Sequence, residues 1–248
     1  MLLITLLLLG ADDKPVQFQP DPPFSSYVSI PTRGFQFYVS PLVAKDKALY
    51  EDVRKSIKRN IDDIYETVPA RLVLIFRQAR VFIELDKRSI GTDGAVYISK
   101  AGHFSHVVNA ARNEKNIPQK FNSIEYRNAK DFSNSNSEML LHELGHAFHA
   151  HLSGGFENPY VTEVFGIAKA RKIYKLDDYC MNNEREYFAD LTSVYFCKPG
   201  QRAGRDDPKS KEWLKEKDPQ GYMMIQKVYG VSDPKESKPK PTTSGKRK

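Results

Sequence analysis

Apolar residues recur at helical spacing through Leu49, Val53, Ile57, Ile61, Ile64 and Val68. This predicts a long amphipathic helix that stops before Pro69. Ahead of it, Gly34–Ser40 (GFQFYVS) alternates apolar and polar positions and reads as a strand. After it, PARLVLIFRQ predicts a shorter, buried helix, and Ala79–Leu85 (ARVFIEL) a strand. Gly91, Asp93 and Gly94 punctuate a turn, and Gly94–Ser99 (GAVYIS) reads as a further strand. From Glu138 onward the period becomes helical, over 138–152, 160–172, 184–197 and 218–229. Strands mixed with helices first and helices alone later predict an α+β domain with a mostly helical second half, and a ligand cleft between the halves.

The flanks look different. Residues 1–11 are a short apolar run closed by Gly10 and Ala11, the pattern of a secretory signal peptide, which implies a secreted protein. Residues 12–32 are Pro-rich and read as irregular. Residues 231–248 are rich in Pro, Ser and Lys and read as a disordered tail. The formal charge of the 248-residue chain is +7, but from Asp233 onward six basic and two acidic residues contribute +4 of it. The remaining +3 does not indicate a nucleic-acid protein, and the tail offers at most a weak contact with an anionic surface. No interior run is long enough to span a bilayer. The two cysteines, Cys180 and Cys197, lie beyond opposite ends of a helix over residues 184–196. Its thirteen residues at ~1.5 Å each hold the pair roughly 20 Å apart, too far for a disulfide.

Four of the six histidines lie in Leu140–Leu152, LLHELGHAFHAHL. His142, Glu143 and His146 form H-E-x-x-H. Positions i and i+4 of a helix lie about 40° apart and ~6 Å along the axis, so both imidazoles can converge on one ion, while Glu143 projects beside them where a carboxylate can take a proton from water. Ser135 and Glu138 have the spacing of a capping box, and Gly145 allows close approach of another backbone. Three candidates compete for third ligand. A histidine at the position of Leu152 would extend the motif, but leucine stands there. His149 is ~10 Å along the axis from His142 and suits a supporting or surface position, and His151 an exposed one. Glu186, in Asn182–Phe196 (NNEREYFADLTSVYF), can complete a His₂Glu site with an open fourth position, the arrangement of catalytic rather than structural zinc. Asp190, one turn on, can accept the free N–H of a ligand histidine, His142 first. Glu184 is the weaker rival, near the helix start.

HELGHAFH followed by NNEREYFAD resembles the zinc peptidase domain of the anthrax-lethal-factor-like metallopeptidases, gluzincins with H-E-x-x-H and a downstream E-[FY]-F-A-[ED]. The resemblance takes in RGFQFYVS, VPARLVLIFRQARVFIEL, GFENPYVTEVFGIAKARKIY and DPQGYMMIQKVYG, and covers about residues 33–230. It implies a zincin-like fold, a small mixed sheet with an active-site helix and a helical C-terminal half. It implies Zn²⁺ held by His142, His146 and Glu186, with Glu143 as general base. The family has a tyrosine seven residues before the ligand glutamate. Tyr179 stands there, which implies an oxyanion-stabilising hydroxyl. Asp190 departs from the commoner glutamate by one methylene. The expected activity is zinc-dependent endopeptidase action on an extended protein or peptide substrate, with GAVYIS as the pairing strand and His103 and His106 as loop residues that could line the cleft. The rivals are an inactive zincin-fold binding protein with a structural zinc, and a tail-driven polyanion binder.

Overall fold

Arg33 and Gly34 have φ of 48° and 91°. Two successive positive-φ residues make the tight loop that suits the right-handed twist of a hairpin. They join β1 (Val28–Thr32) to β2 (Phe35–Val39). The computed structural model describes residues 21–85, 95–98, 118–201 and 209–233. Residues 1–20, His103, His106 and the tail from 234 lie outside them, as do both ends of the GAVYIS segment.

The sheet is completed by β3 (Arg80–Ile83), β4 (Ala95–Ile98) and β5 (Ser123–Tyr126), in the order β1-β2-β3-β5-β4. It is mixed: β2, β3 and β5 run parallel, and the two edge strands β1 and β4 run antiparallel to their neighbours. Register puts Phe37, Val81 and Ile124 in one row and Val39, Ile83 and Tyr126 in another. All six are buried on the face that meets the helices. Tyr38, Phe82 and Glu125 share the opposite face. Residues 28–32, expected to be irregular, are therefore a strand. Pro31 is tolerated there because β1 is an edge strand and Pro donates no ladder bond.

Helix α1 (Pro41–Lys45) leads into α2 (Lys47–Thr67). Asp46 caps α2 by accepting from the backbone N–H groups of Ala48 and Leu49. The helix ends one residue short of Val68, as Pro69 dictates. α3 (Ala70–Phe76) follows. It is amphipathic rather than wholly buried: Leu72, Val73 and Phe76 face the core, while Leu74 and Ile75 are about half exposed. After β5 the chain is helical: α4 (Ala129–Asn134), α5 (Ser137–His149), α6 (Pro159–Ala170), α7 (Glu184–Phe196), α8 (Lys211–Lys217) and α9 (Pro219–Tyr229). One buried apolar cluster runs from Phe35 to Tyr229. The architecture is α+β with a small mixed sheet. α5 crosses the sheet's inner face beside β4 and β5 and packs along α7. Cys180 and Cys197 form no disulfide. Among the described residues no helix is long and apolar enough to cross a membrane.

Candidate metal centre

The site stands on α5 and α7. α5 begins after Asn136, whose side chain accepts from the Glu138 N–H at 2.9 Å. The capping box expected of Ser135 and Glu138 does not form. Ser135 closes α4 instead, with its hydroxyl donating to the Phe132 carbonyl at 2.8 Å. α7 is capped by Asn183, which accepts from the N–H groups of Arg185 and Glu186, both at 3.0 Å. That cap fixes the backbone of Glu186 in the first turn, where a carboxylate also suits the helix dipole. The two helices approach closely at Gly145: a Cβ there would lie 3.0 Å from the Ala189 Cα and 3.1 Å from Thr192. The close approach expected of this glycine is therefore present.

Across this contact three ligand atoms converge. His142 Nε2 and His146 Nε2 are 3.1 Å apart, and they lie 3.1 and 3.2 Å from Glu186 Oε2. Four-coordinate zinc with bonds of 2.0–2.1 Å needs ligand atoms about 3.3–3.4 Å apart. The observed triangle is within about 0.3 Å of that, so the donor set and its spacing fit such an ion. Burial alone would raise the Glu186 carboxyl. The imidazoles of His142 and His146 outweigh it through hydrogen bonds and charge, and hold it well below the usual carboxylate range.

The other predicted residues surround this triangle. Glu143 is buried on α5 next to His142. Tyr179 lies in a short 3-10 turn (Tyr179–Met181), 42% exposed, with its ring centroid 6.0 Å from that of His142. Asp190 is buried one turn beyond Glu186 on α7. His151 is exposed, as expected, with Nδ1–H donating to the Ala147 carbonyl. Glu184 is half-buried in the first turn of α7 and is not part of the triangle. His149 is not a surface residue: it is fully buried between Phe156 and Phe188.

Two features were not anticipated. Tyr126, at the end of β5, buries its hydroxyl without a protein hydrogen-bond partner. Burial, and then the Glu143 carboxylate, push it well above the usual tyrosine range. On the far face of the sheet, Asp21, Glu84 and Glu125 gather around the Lys120 ammonium, with Asp21 and Glu84 oxygens each at 2.7 Å. These carboxylates are mutually close enough to hold an ion, but the lysine already supplies their cation. A cavity of about 440 Å³ lies on the other side of α5 from His142 and His146, walled by Ile75, Phe76, Leu144, Phe148 and Leu152. Helical phase separates it from the triangle, so it is not the cleft over the site.

No protein-family model matches the chain, and no curated protein matches it.

Proposed function

We propose that the chain is a zinc-dependent metalloendopeptidase with a zincin-like fold, of the anthrax-lethal-factor-like kind. The observation that carries this reading is the triangle of His142, His146 and Glu186, drawn from two helices and closed to 3.1–3.2 Å. Three protein ligands, of which His142 keeps 14% of its side chain exposed, match the catalytic arrangement, whereas structural zinc sites close with four. A zinc ion in this site supplies Lewis acidity, acidifying water and polarising a peptide carbonyl.

The chain's own residues then divide the work. Glu143, adjacent to His142 and shielded from bulk water, takes the proton of the attacking water and passes it to the leaving amine. The exposed Tyr179 hydroxyl donates to the oxyanion as it forms. Asp190 accepts from His142 Nδ1–H and fixes that ring's tautomer. Among the described strands β4 has β5 as its one neighbour and lies beside α5. An extended substrate adding to that edge would run past the site by strand pairing.

A peptide-library cleavage assay with metal analysis tests this. Wild type is expected to carry zinc and cleave. Glu143→Gln is expected to keep the metal and lose activity by about 10²–10⁴-fold, the usual worth of a general base. Equal cleavage by both would overturn the assignment.

A further inference from the structure

His149 follows His146 by three positions on α5, about 60° round the helix and ~4.5 Å along it. Helical side chains lean toward the N-terminus, so the His149 ring covers the turn that carries His146. The ring is fully buried, 4.7 Å from the Phe188 ring and 5.4 Å from that of Phe156. Phe156 also meets His146 edge-on, at 6.4 Å. Both ring nitrogens of His149 lack a protein hydrogen-bond partner.

Packing alone does not account for an imidazole here. Burying one unpaired polar atom costs about 1–3 kcal/mol, and phenylalanine would fill the aromatic slot without it. A fully buried ring with no counter-ion is favoured in its neutral form, which presents one N–H and one lone pair. His146 Nε2 points into the triangle, which leaves Nδ1 as the nitrogen of His146 that bears hydrogen when Nε2 ligates.

We infer that His149 is a positioning residue for the metal centre, its lone-pair nitrogen accepting from His146 Nδ1–H across one buried water. This rests on the reading of His142, His146 and Glu186 as a zinc site. His149 would then do for His146 what Asp190 does for His142: fix the tautomer, hold the ring plane and raise ligand basicity. A neutral acceptor adds no charge to the site, which distinguishes this support from a carboxylate's.

The test is zinc affinity by competition with a chromophoric chelator, on the full chain, for wild type, His149→Phe and His149→Gln. Thermal unfolding of the zinc-free forms accompanies it. His149→Phe is expected to unfold at or above the wild-type temperature without zinc, yet to bind zinc about 10–100-fold more weakly. His149→Gln keeps a polar acceptor and is expected to recover most of that loss. Wild-type affinity in His149→Phe would overturn the inference and leave a packing residue. Should the Phe variant fold poorly, Gln decides: affinity near wild type supports the inference, and a loss of tenfold or more overturns it. A wild-type chain that fails to bind zinc at all would instead remove the metal reading, a result none of the variants can mimic.

Discussion

At the scale of single residues, a buried neutral imidazole has a thermodynamic consequence that needs no metal. The His149 pKa falls from 6.5 to about 3 on folding. The unfolded chain therefore takes up a proton that the folded chain refuses. The stability concerned is fully present above pH 6.5 and is lost as pH drops toward about 3, at up to about 1.4 kcal/mol per pH unit. Urea unfolding of zinc-free wild type and His149→Phe at pH 7.5 and pH 5 checks this. The stability difference is expected to move by about 2 kcal/mol in favour of the variant at the lower pH. A difference independent of pH would mean that His149 is not held neutral. The sequence placed His149 about 10 Å along the predicted helix from His142, in a supporting or surface position. It did not show burial, because the shielding rings, Phe156 and Phe188, arrive from a later turn and from a different helix. His142, Glu143 and His146 were legible because their relation is local and set by helical geometry. Glu186 was legible from its buried setting, four positions before Asp190 among Tyr187, Phe188 and Leu191.

At the scale of elements, the triangle of His142, His146 and Glu186 is only as precise as the packing of α5 on α7. Gly145 sets that packing. Alanine there would gain about 1 kcal/mol of helix propensity. Its Cβ would lie 3.0 Å from the Ala189 Cα, an atom of a buried backbone that cannot swing aside. The helices must separate, and His142 and His146 then move away from Glu186. Gly145→Ala is expected to lower stability by about 1–3 kcal/mol, as overpacked cores do, and zinc affinity by about tenfold. Isothermal titration with zinc and urea unfolding measure the two. A more stable variant with unchanged affinity would show that α5 and α7 have slack. Helices with a long apolar stripe or a proline stop, such as α2, were readable in advance. β5, α4 and α8 were not. β5 is four residues long and buries Glu125 in place of an alternating pattern. α4 and α8 are six and seven residues, each too short for a period to emerge.

At the scale of the whole molecule, the sheet has a second covered face that no local pattern revealed. Phe24 packs on Tyr38 and Phe82, and Tyr27 meets Phe82 edge-on. Lys120 ties this cover to the sheet by joining Asp21 to Glu84 and Glu125, and Tyr27 donates to Glu84 at 2.6 Å. Burial alone would lower the Lys120 pKa, but Glu125, Glu84 and Asp21 together raise it well above its ordinary value, so the ammonium stays charged. Removing one partner of a buried ion cluster is costly because the others are stranded. Lys120→Met removes the ammonium that joins three carboxylates and leaves Arg127 3.5 Å from Glu125. The expected loss is about 3–5 kcal/mol, seen as a lower urea midpoint with unchanged slope. The cluster and the metal triangle lie on opposite faces of one sheet: Glu125 points outward, while Tyr126, the next residue, points toward α5. Distant sites without shared partners act additively to within a few tenths of a kcal/mol. Zinc affinity of the folded Lys120→Met chain is therefore expected to stay within about twofold of wild type, since such a residual coupling amounts to no more. If affinity instead fell in step with stability, the outer cover and the helical layer would have to be coupled through β5, and the site would depend on the whole sheet rather than on the α5–α7 pair.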